Sequence, residues 1–196
     1  MNFVITGLGN PGEEYQNTRH NVGWTVLDKI WKDFGFKDWY DSAKGRGELS
    51  EGEIGKEKVL LLKPHTMMNN SGKAVASIVR NKKSAKNLIV LHDDLDLPIG
   101  SFKIIYNHGP GGHRGVKSVQ RALGTNEFVR IKIGISPTAT SGKVRKPKGD
   151  QKVLDFIIGD FRKSELEKIK KVSKDISGAI ESIILDGCQL AMTDWN

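Results

Sequence analysis

Side chains able to hold a carbonyl or move a proton fall at a few turn-like positions: Asn10, His20, Asn69 and Asp93. Histidine changes charge near neutral pH, and a neighbouring carboxylate fixes its tautomer and stabilises the imidazolium. His20 with Asp93 therefore forms a candidate base and orienter for a water molecule. Amides at Asn10 and Asn69 would donate hydrogen bonds to a substrate carbonyl or its developing oxyanion without adding charge. The stretch Asn107 to Gly115 adds His108, His113 and Arg114 among four glycines. Each of these residues has a plainer reading. His20, after Arg19, suits a position leading into a helix, and Asn69 would cap the helix that follows it. Asp93 would cap its own turn, and the 109–115 loop would be flexible.

The elements that must carry these residues are read from hydrophobic spacing. Phe3 to Ile5 is a short buried strand, followed by a helix with Val22, Val26, Ile30 and Phe34 in phase and Gly35 as its stop. Glu48–Ile54 and Val59–Leu62 read as strands, Asn69–Lys82 as a helix, and Leu88–Leu91 as an apolar strand ending in a loop, His92 to Asp96. Phe102–Tyr106 and Val129–Ile135 are further strands around a helix from Gly115 to Leu123. Ser164–Leu185 places Leu166, Ile169, Val172, Ile176, Ile180 and Ile183 on one helix face. Alternation of strands and helices predicts one α/β domain over residues 1–196. Its twisted mixed sheet, largely parallel, is flanked by helices on both faces. The polar stretches then gather beyond strand ends, where such sheets place their sites.

Between the first strand and helix lies Gly7-Leu8-Gly9-Asn10-Pro11-Gly12, a literal G-x-G-x-x-G. In a dinucleotide site the helix N-terminus faces the pyrophosphate. Here Glu13-Glu14 would oppose phosphate, Pro11 disfavours helix before it, and the periodic helix starts only near Asn21. The glycines read instead as a tight turn that aims Asn10 into a pocket. No nucleophile elbow or phosphate-binding P-loop accompanies them. A carboxylate metal site at Asp93, Asp94 and Asp96 stays open as an alternative to a capped turn.

Thirty-one Lys and Arg oppose 23 Asp and Glu, a formal charge of +8, which favours polyanionic partners if concentrated on one face. The single cysteine, Cys188, excludes an internal disulfide and a multi-thiolate metal site. No apolar run approaches the roughly 20 residues of a membrane span, and no basic segment precedes a hydrophobic signal core. A cytoplasmic protein with no membrane association is expected. Pro137 to Gly149, with Lys143, Arg145, Lys146 and Lys148, reads as a mobile basic loop.

Taken in order, the motifs resemble those of bacterial-type peptidyl-tRNA hydrolases. They are GLGNPG at 7–12, Tyr15, Thr18-Arg19-His20-Asn21, Lys63-Pro64, Met68-Asn69, Ser71-Gly72-Lys73, His92 through Pro98, Gly111-Gly112-His113 with Gly115, Ile133-Gly134-Ile135, Asp186-Gly187 and Ala191-Met192. The resemblance spans essentially the whole chain. It implies hydrolysis of the ester joining a peptide to the 3′ end of tRNA, by a monomeric enzyme with neither metal nor organic cofactor. It further implies His20 as general base, Asp93 as its support, and Asn10 and Asn69 gripping substrate beside the ester. Tyr15 and Met67 would line the pocket for the tRNA end.

Three positions depart from the family's pattern. Arg114 stands where the family has asparagine after Gly-Gly-His. In the family's 5′-phosphate clamp Lys132 matches one basic residue, but Ile105 occupies the other position, with Lys103 as the compensating candidate. Ser141 to Lys148 is longer and more basic than usual and reads as a solvated loop, with an added phosphate contact as the alternative. A non-catalytic RNA-binding relative of the same fold is the competing functional class. A nicotinamide-dependent oxidoreductase is a third.

Overall fold

Strands that are apolar on both faces have to be covered on both sides, and that requirement organises this chain. The computed structural model describes residues 3–196. Its strands are β1 (Phe3–Gly7), β2 (Tyr40–Ser42), β3 (Gly47–Ile54), β4 (Glu57–Pro64), β5 (Leu88–Pro98), β6 (Phe102–Tyr106) and β7 (Val129–Ser136). Its helices are α1 (Val22–Asp33), α2 (Ser71–Ile78), α3 (Lys82–Ala85), α4 (Arg114–Leu123), α5 (Asp150–Ile157), α6 (Lys163–Leu185) and α7 (Cys188–Trp195).

The strands form one mixed sheet in the order β2-β3-β4-β1-β5-β7-β6. The four central strands, β4, β1, β5 and β7, run parallel, and antiparallel strands flank them. Register keeps the two faces separate. Ile5 lies level with Leu61 and Ile89, and all three join the core under α1 and α6. Val4, level with Leu60 and Leu88, faces the other core, built with Ala74 and Val75 of α2 and Val116 and Val119 of α4. The expected α/β architecture is therefore present, with helices on both faces.

Two local readings need correction, and two short elements escaped the sequence pattern. His92 to Asp94 is not loop, because β5 continues through these residues in register with Lys132–Gly134 of β7. Strand propensity yields to context, and here the β7 backbone holds the polar residues in the ladder after pairing with β1 has ended at Leu91. Beyond Asp94 the register shifts before Pro98, a bulge that ends regular pairing beside the polar cluster. The helix expected over Asn69–Lys82 ends at Ile78. A separate turn then starts under Asn81, whose side chain accepts from the Ser84 N–H at 2.8 Å. Two elements, β2 and α5, carry too short a pattern to stand out. The edge strand β6 is covered by α7, with Phe102 and Trp195 in ring contact. The Asn196 amide donates to the Ile104 carbonyl (2.9 Å) and accepts from its N–H (2.7 Å).

The glycine-rich segment works by close packing. A Cβ on Gly23, in the first turn of α1, would lie 2.6 Å from the carbonyl oxygens of both Leu8 and Leu91. Helix α1 can approach the ends of β1 and β5 this closely only without a side chain there. Gly23→Ala should cost about 3 kcal/mol, the upper part of the range for overpacked sites. A thermal melt at or above the parent's would refute this account of the packing.

Candidate active site

His20 sits in a single tight turn, Arg19–Asn21, immediately before α1, and is buried. The turn is fastened from both sides. The Thr18 N–H and hydroxyl donate to the Tyr15 carbonyl, at 3.0 and 2.8 Å. Arg19 is buried between Phe156 and Phe161, with its guanidinium carbon 4.6 and 5.5 Å from their ring centres. It donates to the Gly159 carbonyl at 3.0 Å and to Glu165 of α6 at 2.8 Å. That pair ties the turn to the start of α6, whose first residues the same carboxylate caps through the Arg162 N–H.

Asp93 meets His20 from the sheet, with His20 Nδ1 2.8 Å from Asp93 Oδ1. A second imidazole reaches the same oxygen: His113 Nε2 lies 2.9 Å from it. His113 Nδ1 accepts from the Val116 N–H, as cap of α4, so its proton belongs on Nε2 and points at Asp93. His20 likewise presents a protonated Nδ1 to the carboxylate, which leaves its Nε2 as the basic nitrogen. Burial works against the charge on Asp93, but the two imidazoles outweigh it and hold the carboxyl well below the usual carboxylate range. His92, fully buried behind, donates from Nδ1 to the Asp93 carbonyl at 2.8 Å. Burial pushes its pKa well below the ordinary value, so it stays neutral.

Asn10 is buried beside this turn and held through its backbone. Its N–H donates to Asn21 Oδ1 (2.8 Å) and its carbonyl accepts from Asn21 Nδ2 (2.9 Å). Its side-chain Oδ1 accepts from the Met68 N–H at 2.7 Å, which leaves the NH2 group as the end free to donate to a ligand. Met68 in turn places Met67 and Asn69 on either side of the contact, both exposed. Asn69 does not cap α2; the cap position is Asn70. Tyr15 is half-buried in the turn Glu13–Tyr15. Arg114 is exposed at the first position of α4, next to His113. An unbroken series of hydrogen bonds and adjacent residues therefore joins Asn69, Met67, Asn10, His20, Asp93 and Arg114.

The remaining acids diverge rather than converging on an ion. Asp94 pairs with Lys132 at 2.5 Å, and Asp96 pairs with Lys146 of the basic loop. Asp94, not Asp93, holds the local turn, accepting from the Asp96 N–H at 2.7 Å. Lys103 and Lys132 stand directly opposite across β6 and β7, so they share a face. Burial lowers the pKa of Lys132, whereas Lys103 is exposed. His20, Asp93 and His113 bring metal-ligand donor types within 4.8 Å of one another. The residues do not fit an ion there, because both facing nitrogens carry protons directed at Asp93 Oδ1. Dinucleotide binding fits no better. The segment after Gly12 is a three-residue turn led by Glu13 and Glu14, and the first long helix starts at Val22.

Over residues 4–196 the sequence matches the family described as peptidyl-tRNA hydrolase. The chain belongs to that family. A peptidyl-tRNA hydrolase from Carboxydothermus hydrogenoformans is 42% identical over 195 residues, covering 99% of this chain and 98% of the relative. One from Thermodesulfovibrio yellowstonii is 40% identical over 203 residues, with 99% and 98% covered. The crystal structure of peptidyl-tRNA hydrolase from Acinetobacter baumannii superposes with a TM-score of 0.87 at 27% identity, covering 99% of this chain and 94% of that one. Membership of the peptidyl-tRNA hydrolase family agrees with the resemblance read from the motifs.

Sequence reasoning did not assign site roles to His113, Asn21 or Arg19. His113 had a visible signal, a histidine closing a glycine run just before a helix. Asn21 and Arg19 act on backbone atoms distant in sequence, and no local pattern reports that. The depressed Asp93 carboxyl has a consequence for stability. Its contribution is complete above the unfolded carboxylate's pKa, about 4, and is lost as pH falls below it. In melts between pH 5 and pH 2.5, the stability gap between the parent and Asp93→Asn should narrow steadily. A gap that stays level or widens would contradict the charged, doubly donated carboxylate.

Proposed function

We propose that this chain, a peptidyl-tRNA hydrolase by family, cleaves the peptide–tRNA ester with a water activated at His20. The observation that carries the reading is the bond from His20 Nδ1 to a buried carboxylate oxygen at 2.8 Å, which turns Nε2 outward as a base. An ester is activated enough that one positioned water and one base suffice. Nε2 takes a proton as the water oxygen attacks the ester carbonyl carbon. The carbonyl oxygen gains the negative charge, and the free NH2 of Asn10 supplies a neutral donor for it. Asn69, exposed on the same rim, is a second donor. Collapse breaks the bond to the ribose oxygen of the tRNA end, and the imidazolium returns its proton to that oxygen. Free tRNA and a peptide carboxylic acid result.

Asp93 supports this cycle by stabilising the imidazolium between the two transfers, without taking the proton itself. Tyr15 and Met67 offer a ring and a flexible apolar chain to the terminal nucleotide, and Arg114 adds a fixed positive charge at the start of α4. Lys103 and Lys132, on one face of the sheet edge, would meet the tRNA backbone phosphates. In this reading the enzyme works where translation occurs, in the cytoplasm. A monomer is the state that the family resemblance implies. The residues favour no binding-only role, because the base, its support and the donor amide are all assembled.

His20→Ala should lower kcat on an N-blocked aminoacyl-tRNA by about 10²- to 10⁴-fold, the usual contribution of a positioned base. Turnover at the parent's rate by a folded variant would sink the assignment. For the phosphate contacts, Lys103→Met should reduce the slope of log Kd against log salt by nearly 1. Lys132→Met should change it less, because Asp94 already neutralises Lys132. Equal slopes for the parent and Lys103→Met would remove Lys103 from the interface.

A further inference from the structure

A buried arginine with no carboxylate partner among the described residues stands at the second position of β7. Arg130 is 2% exposed, in register with Val90 on one side and Ile105 on the other. Burying an isolated cation is costly unless its N–H groups are satisfied. Here the acceptors are two backbone carbonyls: Arg130 donates to His108 O at 3.0 Å and to Gly109 O at 2.7 Å. The His108 carbonyl is held a second time by Gln120 Nε2 of α4, at 2.6 Å. The planar guanidinium fork suits two neighbouring acceptors, and its charge cannot be shed.

What is held is the loop that delivers His113. Asn107 has a φ of 55°, a left-handed conformation that tertiary contacts must maintain in a non-glycine residue. From Gly109 to Gly112 the chain is open. At Gly109, Gly111 and Gly112 an added Cβ would meet nothing within 4 Å, so packing does not fix this segment. Within the loop the His113 N–H donates to the Pro110 carbonyl at 3.1 Å. The anchored carbonyls lie four and five residues before His113, and α4 anchors the chain just after it.

From this geometry we infer that Arg130 is a positioning residue for the active site: its paired donation to His108 and Gly109 keeps the loop placed so that His113 stays on Asp93 Oδ1. The inference rests on the proposed roles of His20 and Asp93. While His113 donates to Asp93, part of the carboxylate's negative charge is already offset. Releasing the loop leaves His20 as the one side chain donating to that oxygen, and the imidazolium form of His20 is then favoured. Asp93 on β5 faces both His20 and His113, whose ring centres lie 5.2 Å apart, and the His92 ring lies 4.7 Å from that of His113. His92 stays neutral. The charge of Arg19, next to His20, is matched by Glu165 from α6. The Arg130 charge also acts on His92, lowering its pKa, so Arg130→Met removes that effect together with the loop contacts, whereas Gln120→Ala leaves it in place.

The test is the pH profile of kcat/KM on an N-blocked aminoacyl-tRNA, measured for the parent, Arg130→Met, His113→Ala and the double variant, with melts alongside. The acidic limb reports the base in the free enzyme. Arg130→Met should move that limb upward by about half a pH unit, in the same direction as His113→Ala. In the His113→Ala background it should add nothing, because both changes remove the same hydrogen bond. Gln120→Ala, which removes the second hold on His108 without exposing a buried charge, should move the limb the same way by less. That variant keeps the test decisive if Arg130→Met does not fold. A limb that stays in place for Arg130→Met and Gln120→Ala, or a shift that adds fully to that of His113→Ala, overturns the inference. His20→Ala in the same series separates the two levels. If it retains activity, the proposed chemistry fails; if it is inactive while the limb never moves, only the role of Arg130 fails.

Discussion

One carboxylate oxygen organises the molecule. Asp93 Oδ1 accepts from His20 and from His113, and a buried negative charge on the sheet is tolerable only because both donors arrive. The donors come from chain segments more than 90 residues apart, one just before α1 and the other just before α4. Each segment must therefore be held to within hydrogen-bond tolerance by something outside the site. Arginine does this in both cases. Arg19 fixes the first turn through Gly159 and Glu165, and Arg130 fixes the second loop through two carbonyls. Both guanidiniums are buried, and both bind to main chain as well as or instead of a carboxylate.

The same demand explains the glycine pattern at the front of the chain. Gly7 and Gly23 let β1 and α1 touch backbone to backbone, which draws the His20 turn down onto the end of β5. Asn21 then clamps Asn10 by both of its main-chain polar groups, so the loop after β1 is positioned by an amide rather than by a bound ligand. A phosphate-binding loop needs its N–H groups free and facing outward. Here the Asn10 N–H is spent inside the protein, and the useful group is the side-chain NH2.

How much of this was legible in the sequence depends on the range of each interaction. Periodicity located α1, α4, α6 and the apolar strands, because those signals repeat within one segment. His20, Asp93 and Asn10 were legible because the residue types limit the chemistry they can do, and their motifs lie together in one family resemblance. Arg19 and Arg130 were not, since a charge in a sequence is normally read as facing water. Only the fold shows the phenylalanine rings and carbonyls that receive them. His92 to Asp94 misled for the converse reason. Three polar residues look like loop, yet they continue a central strand whose backbone partners on β7 are invisible locally. The short elements β2 and α5 offered too few residues to establish any period.

The amide of Asn196 occupies the backbone donor and acceptor of Ile104 on the sheet's edge strand. An open edge invites an extended chain to add itself as the next strand. A hydrolase for peptidyl-tRNA handles substrates that trail unfolded polypeptide, the kind of chain most ready to pair in that way. With a side chain already standing in for the missing strand, the donor and acceptor that an extended chain would need at Ile104 are taken.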